Sequence, residues 1–503
     1  MELQNKRLGG FRPIYHTLLR QEETLESIVP DALPDITRII EAAGTVLFRQ
    51  KETVDGSVRV MGTVCTSVLY MPEGEGGPCC LSLNIPFLCS GDSPAIQGGC
   101  QVQVNARVIS ADAQMLNPRK VLARVELAVE VCVYAEETAE VCIQADHGDD
   151  GSIQTLEETY KDLVAVDVAE KNFTFSDVLR LSASRSPMEQ LLRSKAELNC
   201  AEAKVIGKKL VVKGECVLSV LYRSGTEAVC TRFELPFSQI LEVKAGGEES
   251  SVWTDAVLIG MDCTPRGEEE LEVSFEVLLQ AVIRQEREVE LLADLYSVAQ
   301  PMEVERGKVS LYPLVEQGSR RQIARQFCQS AIPAKQVVEC RLTVGEVTQV
   351  PSGEGISMVT AKTYADVLYL SEDDALCAVS YTVPASCELP VSQGGKCLVR
   401  CLLVGEPSAT PVTGGLEVRF EAEFIYLITQ EQEAYFVSAA RPGPAEENQC
   451  ERPSVVIRMV GEGERLWDIA KCCASTVDNI QAVNAIGSGD APSGTLLLIP
   501  KCR

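Results

Sequence analysis

Chemistry needs particular side chains within reach of one another, and this chain of 503 residues is short of the usual ones. Its two histidines, His16 and His147, exclude most histidine-based triads and multi-histidine metal sites. None of its 21 cysteines forms a Cys-x-x-Cys pair. Many alternate with aliphatics, as in Val131-Cys132-Val133, and read as small buried hydrophobes. Disulfides formed in a late oxidising stage are the next alternative, and a metal site the last. The adjacent pairs Cys79-Cys80 and Cys472-Cys473 are poor chelates by spacing. The acidic run His147 to Gly151 lacks the oxygen ladder and closing glutamate of a calcium loop, and reads as a solvated linker. No nucleophile–base set, phosphate loop or metal cluster stands out. Neither enzymatic activity nor a cofactor is expected.

Composition bounds the rest. Hydrophobic residues make up 46% and aromatics 5%, so small β-branched residues carry the core, which suits sheets. The net charge is −26, from 46 basic and 72 acidic residues. A field of that sign repels phosphate backbones and anionic lipid, so neither nucleic acid nor a membrane surface is an expected partner. It serves solubility, or attracts a basic partner surface. The opening Met1 to Leu8 has no apolar signal core, and no apolar run of about 18 residues occurs. A cytosolic location is expected.

The elements show themselves by repetition. Gly62-Thr-Val-Cys-Thr-Ser-Val-Leu-Tyr70, Gly214-Glu-Cys-Val-Leu-Ser-Val-Leu-Tyr222 and Ala361-Lys-Thr-Tyr-Ala-Asp-Val-Leu-Tyr369 are the same strand written three times, with a period near 150 residues. Side chains alternate along each, which argues strand rather than helix. The small residue at 62, 214 and 361 predicts a bulge or a close backbone approach. Tyr70, Tyr222 and Tyr369 read as packing positions. A proline lies 35 or 36 residues before each tyrosine: Pro34, Pro187 and Pro333. Aliphatic pairs follow it, and a short helix is expected there, with Ser186-Pro187 as an N-cap and first helical position. Asp55-Gly56, Gly207-Lys208 and Ser352 to Gly355 read as hairpin turns, and two further strands close each copy. The expected fold is mainly β: three tandem β-sandwich-like domains plus a small α+β (βααβ) module. The boundaries are an N-terminal arm at 1–28, repeats at 29–145, 153–298 and 327–438, a Pro/Gly-rich linker at 439–454, and the module at 455–503.

In that last segment Val455 to Val460 reads as a strand, Arg465 to Cys472 and the stretch after Thr476 as helices, and Gly494 to Pro500 as a closing strand. It resembles a LysM domain through Gly463-Glu-Arg-Leu466-Trp467-Asp-Ile469-Ala470, Asn484, and Gly494 with Leu498-Ile499-Pro500. The family's usual Gly-Asp-Thr turn is here Gly463-Glu464-Arg465, which weakens the N-cap. The resemblance implies a shallow groove for N-acetylglucosamine chains, lined by Gly463, Glu464, Arg465, Leu466, Ile486 and Leu498. It implies fold-forming roles for Ile469, Asn484 and Pro500. Trp467 is either core or an anchor for a protein partner.

The tandem units, the leading Pro-Asp-Ile segment and the trailing module together resemble the SPOCS-domain proteins of spore-forming Firmicutes. The resemblance implies a scaffold at the forespore surface, in the mother-cell cytoplasm and spore coat. It would bind stage IV sporulation protein A, the ATPase of the coat's basal layer, through the LysM module, along with other coat proteins. The alternative is a peptidoglycan-binding module anchoring the chain to cortex or cell wall.

Overall fold

The structure is a computed structural model that describes residues 2–74, 76–146, 151–392, 394–444, 454–487 and 489–501. Most of the acidic run and of the Pro/Gly-rich linker lies outside the described residues. The fold is mainly β. The first copy contributes β1 (Glu2–Ile28), β2 (Ile36–Val54), β3 (Ser57–Pro72), β4 (Cys79–Asp92), β5 (Gln101–Asn117) and β6 (Lys120–Asp146). The second contributes β7 (Ile153–Arg180), β8 (Gln190–Ile206), β9 (Lys209–Ser224), β10 (Glu227–Glu242), β11 (Ser251–Arg266) and β12 (Glu270–Ser297). The third contributes β13 (Met302–Leu311), β14 (Leu314–Gln329), β15 (Ala334–Gly353), β16 (Ile356–Ser371), β17 (Leu376–Leu389), β18 (Gly395–Val412), β19 (Gly415–Gln430) and β20 (Gln432–Pro442).

The repeated strands β3, β9 and β16 are the centres of three antiparallel sheets, β2-β3-β4, β10-β9-β8 and β15-β16-β17. One face of each packs on the outer strands of its own copy to make a two-layer core. Gly62 and Gly214 lie beneath the rings of Phe87 and Phe237 on the neighbouring strand. A Cβ at Gly214 would stand 2.5 Å from the Phe237 ring and 2.4 Å from the Asn199 carbonyl oxygen. In the third copy Ala361 faces Ala385, and the room returns. Each spine tyrosine is buried and donates to the segment before its sheet: Tyr70 to the Pro34 carbonyl (3.2 Å), Tyr222 to that of Ser186 (3.0 Å), Tyr369 to that of Ile332 (3.3 Å). The fixed proline–tyrosine spacing is this hydrogen bond.

Three expectations are corrected. No helix follows Pro34, Pro187 or Pro333; strands β2, β8 and β15 do. Each carries register shifts near its start, at Ile39/Glu41, Leu191/Arg193 and Val337/Glu339. Such bulges break period two and turn the second aliphatic of each pair, Ile40, Leu192 and Val338, outward into a shared cluster. Residues 1–28 are not an arm: β1 pairs with β6 along its length, as β7 does with β12. The stretch from Ala299 to Gln326, which the expected bounds place between the second and third repeats as a joint, is part of the fold, because β13 and most of β14 lie in it. They pair with β20 and β19, so the third copy repeats the same long ribbon with a break after Leu311.

The three copies converge on one another. Leu69, Leu221 and Leu368, the leucines of the three Val-Leu-Tyr motifs, bury themselves in a single cluster. Opposite each on the neighbouring strand sits a charged residue: Glu41, Arg193 and Glu339. The copies are therefore arranged about an approximate threefold axis. The strands β11-β12-β7-β1-β6-β5 form one continuous sheet across copies one and two, joined where Phe11 meets Ala165. Among the described residues no helix is long and apolar enough to cross a membrane.

Candidate functional site

The C-terminal module is built of β21 (Val455–Met459), α1 (Leu466–Cys473), α2 (Val477–Asn484) and β22 (Leu496–Pro500), with β21 and β22 paired antiparallel. Leu466, Trp467, Ile469 and Ala470 form the buried stripe of α1. The Arg465 side chain does not cap this helix. Instead the Leu466 N–H donates to Asp490 Oδ1 at 2.7 Å, from the loop before β22. Thr476 caps α2 by accepting from the Asn479 N–H at 3.1 Å. Asn484 ties α2 to β22: it donates to the Leu498 carbonyl (2.6 Å) and accepts from the Leu498 N–H (2.8 Å).

The residues expected to line a groove have mixed fates. Gly463 is exposed, with φ 70°. Glu464 accepts from the Gly461 N–H at 3.0 Å and pairs with Arg458 at 2.5 Å. Arg465 is engaged by Asp468 at 3.1 Å and by Glu158 of β7 at 3.3 Å. Leu466 is buried, Ile486 is half-buried and Leu498 is exposed. The polar members of this set are not brought together: Glu464 is held by Arg458 of β21, and Arg465 by Asp468 of α1 and Glu158 of β7.

Trp467 seats the module on the second copy. It is 9% exposed, and its Nε1–H donates to Asp294 Oδ2 on β12 at 2.9 Å. Lys471 reaches both Asp294 oxygens at 2.7 Å. The Tyr296 ring packs edge-on against the indole at 4.9 Å, and its hydroxyl donates to the Ser475 carbonyl at 2.8 Å. Burial raises the pKa of Asp294, but the Lys471 and Trp467 donors and the Lys471 and Arg306 charges outweigh it and hold the carboxyl below its usual range. The indole is thus both core and anchor, and what it anchors to is this chain.

Of the surface that remains, sequence reasoning found only Leu498. On the outer face of β21 and β22, Val455, Ile457, Met459, Leu496 and Leu498 are 43 to 66% exposed. Ile457 lies opposite Leu498, and Met459 opposite Leu496, so the side chains form contiguous rows. The signal was present in the near-continuous apolar runs Val455-Val-Ile and Leu496-Leu-Leu-Ile499, since a half-buried strand would alternate with polar residues. Such a face has no catalytic chemistry and fits an apolar partner surface. Among the described residues no group of three or more His, Cys, Asp or Glu could hold a metal ion. The described cysteines are free thiols, and burial pushes Cys80 and Cys216 up to about 12, far from the reactive thiolate.

Two stretches of the chain, 35–116 and 187–265, match the family described as SipL, SPOCS domain. They run from the segment just before β2 through β5, and from before β8 through β11. The third copy and the C-terminal module lie outside them. No curated protein and no solved structure matches the chain.

Proposed function

We propose that this chain is a non-enzymatic scaffold of endospore formation that grips stage IV sporulation protein A, the ATPase of the coat's basal layer, with its C-terminal module. The match of two copies to the SipL SPOCS domain supports a role in sporulation. The observation that carries the binding reading is the apolar face of β21 and β22, which is larger than scattered surface hydrophobics and lies on the side of the module away from its buried core. The LysM-like groove supports protein over glycan, because the Leu466 N–H and the Arg465 guanidinium are already spent within the chain. The scaffold would work in the mother-cell cytoplasm at the forespore surface, with the three copies left to meet other coat proteins.

The test uses the full chain and its Ile457→Asp/Leu498→Asp variant, offered separately to the ATPase and to purified peptidoglycan. Both substitutions fall on exposed positions, so the melting temperature should hold. Capture of the ATPase should weaken by about tenfold or more, as for loss of an interface hot spot. Retention on peptidoglycan but not on the ATPase would overturn the reading and favour a wall-anchoring module.

A further inference from the structure

The approximate threefold axis encloses a cavity of about 520 Å³, walled by residues of all three copies. That volume is in the range of small-molecule sites. Arg341, a member of a buried ion-pair group, and Arg400, paired with buried Asp255, both line the cavity. Both are self-neutralised. The second copy adds something the other two lack. Lys195, Ser219 and Arg232 lie in one row across β8, β9 and β10, each opposite the next, and all three line the cavity. The same row reads Ala43, Ser67, Ser82 in the first copy and Arg341, Asp366, Ser380 in the third.

Adjacent strands are about 4.8 Å apart, so the two cationic side chains start about 10 Å apart with the serine hydroxyl between them. Side chains of their length can close on a single group above Ser219. Lys195 has a partner, Glu197 at 2.8 Å, itself half exposed to solvent. Arg232 has none among the described residues, and its Nε is out of reach of solvent with no acceptor. Across the cavity, Arg107 repeats the feature: its Nη2 donates to the Gly345 carbonyl at 2.7 Å and its Nη1 faces Glu130 at 3.7 Å, yet its buried Nε has no acceptor. Glu130 and Glu346, the other carboxylates of the wall, are held by Arg107 with His16 and by Arg20. Guanidinium nitrogens without an acceptor also occur away from the cavity, at Arg223, Arg284 and Arg287, but each of those side chains bonds through another nitrogen, whereas Arg232 has no partner at any among the described residues.

We propose that this axial cavity is a binding site for a small oxyanion-bearing molecule, phosphate or carboxylate, held by Arg232, Ser219 and Lys195. Arg supplies a planar fork and Lys a point charge, a combination that suits either oxyanion. Bound there, the ligand would sit in a cavity whose walls come from all three copies.

Inorganic phosphate and citrate are the probes, each titrated into the full chain at constant ionic strength set with sodium chloride, because unspecific screening alone shifts melting. At least one should raise the melting temperature saturably, by about 2 °C or more, and which one does so distinguishes phosphate from carboxylate. Arg232→Gln should weaken that response at least tenfold, and Ser219→Ala should reduce it. Without probe, Arg232→Gln should melt no lower than the parent, since it removes a cation that has no partner. Absence of a saturable shift with both probes, or an unchanged response in Arg232→Gln, would overturn the proposal. So would a lower melting point of Arg232→Gln without probe, since Arg232 would then be a structural residue.

Discussion

At the scale of the residue, the repeated strands work through contacts that only certain side chains permit. Gly214 lets the Phe237 ring lie flat across β9, with the Asn199 carbonyl equally close on the other side. An added methyl must displace a packed aromatic ring and a backbone oxygen at once, and overpacking of this kind costs about 1–3 kcal/mol. Gly214→Ala should therefore lower the stability of the chain by about 2 kcal/mol in a denaturant titration. The substitution Ala361→Gly, where the opposite residue is Ala385, should change it by less than about 1 kcal/mol. The small residue at this place was legible in the sequence, as a close approach, because all three copies keep it small. What approaches was not, since Phe87 and Phe237 lie 25 and 23 residues further on and their register is set by the hairpin. The tyrosines were read as packing positions, and they are. Their hydroxyl bonds give physical meaning to the constant spacing from proline to tyrosine.

At the scale of the element, period two made β3, β9 and β16 readable, and bulges hid β2, β8 and β15. A bulged strand shows two adjacent aliphatics, and after a proline such a pair imitates the first turn of a helix. Strand β1 was hidden differently: most of its 27 residues are polar or half exposed, and the burial lies with its partner β6. The order β-α-α-β of the module was visible because helical and strand periods are distinct there. Its seat on β12 was not, because Trp467 and Asp294 are 173 residues apart. That seat makes a prediction. Asp294 is buried and shared by the Trp467 indole and the Lys471 ammonium, so Asp294→Ala leaves both donors without their acceptor. In a background where the other tryptophan, Trp253, is replaced by phenylalanine, indole emission should shift to the red as the module loosens. Asp294 is held below the ordinary carboxylate range, so its contribution is present at neutral pH and lost on acidification through its lowered pKa. The parent should show the same red shift in acid, and an unshifted Asp294→Ala spectrum would show that the module is seated by its apolar contacts alone.

At the scale of the whole molecule, the three copies must close on one another in one order, and buried charge supplies a reason. Glu41, Arg193 and Glu339 occupy equivalent places, each opposite the leucine of its own Val-Leu-Tyr motif. Three identical copies would bring three like charges to the axis. This chain alternates them and adds Arg341, so that two acids and two bases balance: Arg193 bonds Glu41 (2.5 Å) and Glu339, while Arg341 bonds Glu41 (2.8 Å) and Glu339 (2.7 Å). None of this could be read from the sequence, because Glu41 and Arg341 are 300 residues apart and each sits in a strand that looked helical. Removing one member leaves an uncompensated charge in the interior, at a cost of about 3–5 kcal/mol. Arg193→Met should destabilise the chain by that amount, and adding Glu41→Leu should restore much of it by making the centre neutral again. Acid offers an independent reading of the same group. Against the opposing effect of burial, the Arg193 and Arg341 charges draw Glu41 from 4.5 down to about 2. Its stabilising contribution is therefore complete above pH 4.5 and disappears as the pH falls from 4.5 towards 2. A profile of denaturation midpoint against pH should fall steeply across that window in the parent and be flatter in the double variant. Equal acid slopes would mean that the three copies are held together by Leu69, Leu221 and Leu368, with the charges indifferent to their order.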